Sequence, residues 1–125
     1  MWTYLFYVLD AFISLRRATR APDGGLLIAK KELRDFVFDE VWERTGRLLY
    51  QYEGDFWRDL DILEGLGVLH IHGEFITITP EQREQIAEAV RACRNYPLRG
   101  KIPSLNRHFA EIEEVIESVV SATAR

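Results

Sequence analysis

Ile62-Leu63-Glu64-Gly65-Leu66-Gly67-Val68-Leu69, followed closely by Ile78-Thr79-Pro80-Glu81, is the stretch that decides the fold. A helix running into Leu63 stops at Gly65-Leu66-Gly67, since two nearby glycines favour a chain reversal over another helical turn. Val68-Leu69-His70-Ile71 and Phe75-Ile76-Thr77-Ile78 are two β-rich runs, and His72-Gly73-Glu74 between them has the length and central glycine of a tight hairpin. Thr79-Pro80-Glu81 then opens a new helix, with Thr79 as cap and Pro80 in the first turn. The stretch therefore reads helix, hairpin, helix.

Upstream, Asp55 is a good N-cap for a helix through Glu64 with Phe56, Leu60 and Leu63 inward. Residues 47–53 are ambiguous between a short helix and an inward-packing turn. Lys30 to about Arg44 is an amphipathic helix with a buried stripe of Leu33, Phe36, Val37, Val41 and Trp42, closed by Gly46. Leu26-Leu27-Ile28-Ala29 is a short strand, and Pro22-Asp23-Gly24-Gly25 a turn. Residues 2–20 read as a helix that is apolar nearly all round, and such a helix needs cover on more than one side. A second subunit is the natural source of that cover. Arg16, Arg17 and Arg20 suit its C-terminal end, where cations meet the helix dipole. Downstream, the helix after Thr79 runs to Arg94 with Ile86, Val90 and Cys93 inward, and residues 95–103 form a loop. Ser104 caps a last helix, 104–121, with Leu105, Phe109, Ile112, Ile116, Val119 and Val120 as its apolar stripe. Glu111, Glu113, Glu114 and Glu117 form its wet face. The class is mainly α with a small β-hairpin, an α+β protein in one domain spanning 1–125.

The 125 residues are 47% hydrophobic and 29% charged, which is ordinary globular composition. The net charge of −4 carries no basic footprint on average. The lone Cys93 makes neither an internal disulfide nor a cysteine metal cluster, which points to a reducing, cytoplasmic setting. The greasy N-terminus has no positive charge before Arg16, unlike a signal peptide, and is shorter than the roughly 20 residues a spanning helix needs. A buried helix is the preferred reading and an interfacial membrane helix the alternative.

The segment from Leu26 to Glu81 resembles a winged helix-turn-helix domain. Its most specific part is the leucine-glycine-aliphatic step after Leu63, the hairpin and the Thr79-Pro80 cap. The flanking helices 2–20 and 104–121 resemble the terminal dimerisation helices of small bacterial and archaeal regulators of this type. The resemblance implies a homodimer joined through Trp2, Leu5, Phe6, Leu9, Phe109, Ile112, Ile116 and Val119. It also implies that the third helix enters the DNA major groove while the wing touches the backbone. The implied DNA contacts are Trp57, Arg58 and Asp61 on that helix, His72 on the wing, and Lys30, Lys31 and Arg34 at the helix crossing the phosphates.

The charges around that helix oppose DNA. Between Arg47 and Thr79 the only basic residues are Arg47 and Arg58, against Glu53, Asp55, Asp59, Asp61, Glu64 and Glu74. DNA affinity rests largely on neutralising phosphates. Positive charge gathers instead at Arg91–Arg107 and in the segment holding Arg16, Arg17, Arg20, Lys30, Lys31 and Arg34. His70 and His72 point to one face of a strand, but zinc needs further ligands and none is evident. Gly100-Lys101 lacks the upstream glycine of a phosphate-binding loop. Cys93 reads as a small core residue, and His108 as a polar-face residue without a role. Trp57 falls on the side of its helix away from Phe56, Leu60 and Leu63, so it is either a binding residue or covered by the 47–53 segment or a partner. No nucleophile–base pair, cofactor loop or metal cluster is legible, so no catalytic site, metal or cofactor is expected. Two functions remain: a homodimeric regulator that binds double-stranded DNA, and a winged-helix module that binds a protein.

Overall fold

The computed structural model describes residues 3–123 and shows a mainly helical α+β chain with a four-stranded antiparallel sheet. The order is α1 (Thr3–Ser14), β1 (Thr19–Arg20), β2 (Leu26–Ala29), α2 (Lys30–Asp35), a π-turn (Phe36–Glu40) and α3 (Val41–Thr45). There follow α4 (Glu53–Gly65), β3 (His70–His72), β4 (Phe75–Ile78), α5 (Pro80–Arg94), a 3₁₀ turn (Pro97–Gly100) and α6 (Pro103–Thr123). Among the described residues no helix is long and apolar enough to cross a membrane.

The strands lie in the order β1-β2-β4-β3. Their period of two sends Leu26, Ile28, Ile76 and Ile78 into the core. Residues at paired register positions share a face, so Leu27, Thr77 and His70 form one outward row, and Ala29, Phe75 and His72 the next. His72 pairs directly with Phe75, so the turn holds only Gly73 and Glu74, one residue fewer than the sequence suggests. Gly73 has φ +59° and Glu74 an ordinary negative φ, the pattern of a type II′ turn. Val68 and Leu69 precede β3 as buried anchors rather than joining it.

The N-terminal helix ends at Ser14, well short of residue 20, and Thr19–Arg20 is an edge strand instead. The stop is a hydrogen-bonded cap. The Arg16 N–H donates to the Ile13 carbonyl at 2.9 Å and the Arg17 N–H to that of Phe12 at 3.2 Å, with Arg16 in the left-handed region at φ +60°. This is the Schellman pattern. The end of α4 repeats it with Gly67 at φ +77°, whose N–H reaches Glu64 while Val68 reaches Leu63.

α1 is apolar all round, as read, but the chain covers it by itself. Leu5, Phe6 and Leu9 are buried, and α1 packs on α5 and α6. Phe109, Ile112, Ile116 and Val119 of α6 are buried in the same core. These residues, expected to form a dimer seam, are core residues of one chain, each contributing about 1.5–3 kcal/mol by leaving water. Trp2 lies outside the described residues.

Residues 30–45 form one helical run through the π-turn, with Leu33, Phe36, Val37 and Val41 buried. Trp42 does not share that stripe and is 53% exposed, because the residue after Val41 points about 100° further round a helix. Gly46 closes the run at φ +69°. Asp55 is not the cap of α4: the helix starts at Glu53 after an extended Tyr52, leaving Asp55 in the first turn, where its charge suits the dipole. Thr79 and Gln82 form a reciprocal capping box at the start of α5. Ser104 is not a cap either, since α6 begins at Pro103.

Glu113 departs from the wet face assigned to it. Arg99 grips it with two hydrogen bonds of 2.8 Å, and the Tyr7 hydroxyl donates to Oε2 at 2.7 Å. The same guanidinium reaches the Cys93 carbonyl and Asn106 Oδ1, each at 3.1 Å. The knot ties α1, the end of α5, the 3₁₀ turn and α6 together. His108 is also turned inward, its ring stacked on Tyr4 at 5.3 Å.

Candidate interaction surface

The residues implied as DNA contacts come from the start of α2, the length of α4 and the hairpin. The fold brings several of them together. The Lys30 N–H donates to the Glu74 carbonyl at 2.9 Å, which fixes the hairpin tip to the start of α2. Lys30 Nζ lies 5.9 Å from the centre of the Trp57 ring, at cation–π range. Trp57 is half-buried, edge-on to Phe56 at 4.9 Å. Lys30 accounts for part of its cover. Lys31 is exposed on the next position.

Arg34 has three carboxylates beside it. Its Nε bonds Glu53, and Nη1 lies 3.3 Å from both Asp35 and Asp39. Its guanidinium also lies 5.3 Å from the Phe38 ring centre. Arg58 pairs with Asp55 at 3.2 Å. Thus both arginines implied as DNA contacts, Arg34 at the phosphates and Arg58 in the groove, already have carboxylates beside them.

The acids divide by environment. Asp59 is 3% exposed and accepts from the Tyr50 hydroxyl at 2.9 Å. Burial, and then that bond, push the Tyr50 phenol up out of its ordinary range. Glu64 accepts from the Ile71 N–H on the outer edge of β3 at 2.5 Å. Asp61 is exposed, near Ile62 and Leu66, which are 36% and 59% exposed. His72 stands outward on the sheet, 6.2 Å from His70 between ring centres. Among the described residues no third metal-ligating side chain joins them.

The sequence reading missed the internal use of Asp59 and Glu64. Helical spacing signalled Asp59, one position before Leu60, but its polarity argued for solvent. The Glu64 bond depends on where β3 lies and had no local signal. No protein-family model, curated protein or solved structure matches this chain.

Proposed function

We propose that the chain is a winged-helix protein-interaction module whose α4 and hairpin contact a protein partner. Support for the winged-helix part comes from the hairpin after α4 closing onto β2, the strand that precedes the two helical segments. The observation that carries the partner class is the state of Arg34 on α2 and Arg58 on α4. Arg34 has Glu53, Asp35 and Asp39 beside it and Arg58 has Asp55, so both charges are partly offset before any phosphate approaches. Asp61 stands exposed close to Ile62 and Leu66, a mixed acidic and apolar surface that fits a partner presenting cationic and apolar side chains.

A DNA-binding regulator, acting as a homodimer, is the second reading. Lys30 and Lys31 favour it: neither pairs with a carboxylate among the described residues, and both stand beside the hairpin. Fluorescence anisotropy with mixed-sequence duplex DNA at low and physiological salt separates the two. The interaction module shows no binding even at low salt. Micromolar binding that falls steeply with salt, and weakens when Lys30 and Lys31 are both changed to alanine, overturns it in favour of the regulator. In parallel, the full chain captures a partner that Leu66→Arg fails to retain; equal retention by that variant removes α4 from the contact.

A further inference from the structure

On the opposite edge of the sheet from the hairpin lies a cleft of about 510 Å³ between the end of α1, β1 and α5. Arg16, Arg20 and Arg83 line it, with Ser14 and an apolar floor that includes Ile13 and Leu26. No carboxylate lines it. The three arginines come from separate elements: the α1 cap, β1 and the first turns of α5. Among the described residues, every other arginine except Arg107 is paired with a carboxylate. A chain of net charge −4 has acids to spare, yet three guanidiniums without a salt-bridge partner among the described residues converge on one concavity, with Asp10 acting on Arg83 only from the adjoining cleft. Their mutual repulsion is unfavourable unless an anion offsets it.

Arg16 adds a second observation. It holds the left-handed position of a helix cap that glycine fills at the end of α4, and it is the only described non-glycine residue with positive φ. A side chain in that conformation is disfavoured, and such residues gather where a ligand is held.

We propose that this cleft binds a small phosphate-bearing molecule. Guanidinium forks match the oxygens of phosphate, and three of them suit an anion carrying at least two negative charges. The cleft is larger than one phosphate, and the apolar floor leaves room for the body of a phosphate ester. This site is independent of the role given to α4.

Titration calorimetry with pyrophosphate, in phosphate-free buffer at low salt, tests it on the full chain, and thermal unfolding gives a second readout. Pyrophosphate binds and raises the unfolding temperature, as any ligand selective for the native state does. Arg16→Gly weakens binding about tenfold or more, the scale of one lost charge-assisted contact. Because glycine suits the cap at residue 16, that variant keeps its fold, and its loss of binding has no unfolding explanation. Arg83→Gln weakens binding similarly, whereas Lys101→Gln, outside the cleft, leaves it unchanged. The proposal is overturned if pyrophosphate gives neither heat nor a thermal shift, or if Arg16→Gly binds as tightly as the parent. It is equally overturned if phosphate is bound only within an oligonucleotide, which would make the cleft a nucleic-acid contact.

Discussion

Arg99 and Arg34 are both surrounded by acceptors, but they stand in different solvents. Arg99 and Glu113 are 13% and 12% exposed, locked fork to fork, with the Tyr7 hydroxyl on the same carboxylate. Arg34 is 33% exposed and its partners between 43% and 59%. Around Arg99 the guanidinium's donors have fixed acceptors in two helices, the end of α5 and α6. Around Arg34, three carboxylates share one cation, and water competes for each. The first arrangement specifies how helices meet. The second offsets charge at the surface without fixing how helices meet.

The largest effect that tests this contrast is Glu113→Ala. Removing one member of a mostly buried pair strands the other, and a loss of about 3 kcal/mol in unfolding free energy is expected. Urea denaturation reads it as a lower midpoint at unchanged slope; a loss below about 1 kcal/mol would erase the distinction between the two arginines. Tyr7→Phe removes a hydrogen bond to a charged acceptor and lowers stability by about 1.5 kcal/mol in the same measurement.

A third test uses acid. Burial pushes the Glu113 carboxyl up, but the bonds from Arg99 and Tyr7 outweigh it and hold the group below its usual range. A carboxyl depressed in the folded state stabilises above its unfolded pKa of about 4.3, and that contribution is lost as pH falls through the lower folded value. The stability gap between the parent and Glu113→Gln therefore closes as pH drops below about 4.3. Glu40, depressed by Arg17 and Arg44 against the same cost of burial, keeps part of the acid sensitivity in the variant. A gap that stays constant into acid would mean Glu113 gains nothing from ionising in the fold. The smallest effect is expected at Arg34→Gln, with a midpoint indistinguishable from the parent; a clear shift would show that exposure has not weakened that cluster.

Local chemistry made much of this fold legible. Gly46, Gly67 and the Thr79-Pro80 step act within a few residues, and each ends or starts a helix where expected. Helical spacing also found the buried stripes of residues 30–45, Trp42 apart, and of α6. Partners distant in the chain left no such trace. Glu113 reads like its neighbours Glu111, Glu114 and Glu117 until Arg99 and Tyr7 arrive from elsewhere. The all-round burial of α1 was apparent, but periodicity states only that a surface is covered, never by what. Arg16 was equally hidden, since its left-handed turn is set by the cap and the return of the chain into β1 rather than by its own preference. Of the candidate surface, the sequence located the residues and their charges, while the pairing of Arg34 and the proximity of Lys30 to Trp57 needed three dimensions.

The Glu64 bond to the Ile71 N–H reaches beyond the single molecule. A sheet edge with free N–H groups invites strands from other chains and is a common seed of aggregation. Here the outer rim of β3 meets a carboxylate, and at the opposite rim β1 is only two residues long. In a concentrated solution, a neighbouring chain would find no continuous ladder to extend at either end, so the rims of the sheet oppose fibre growth.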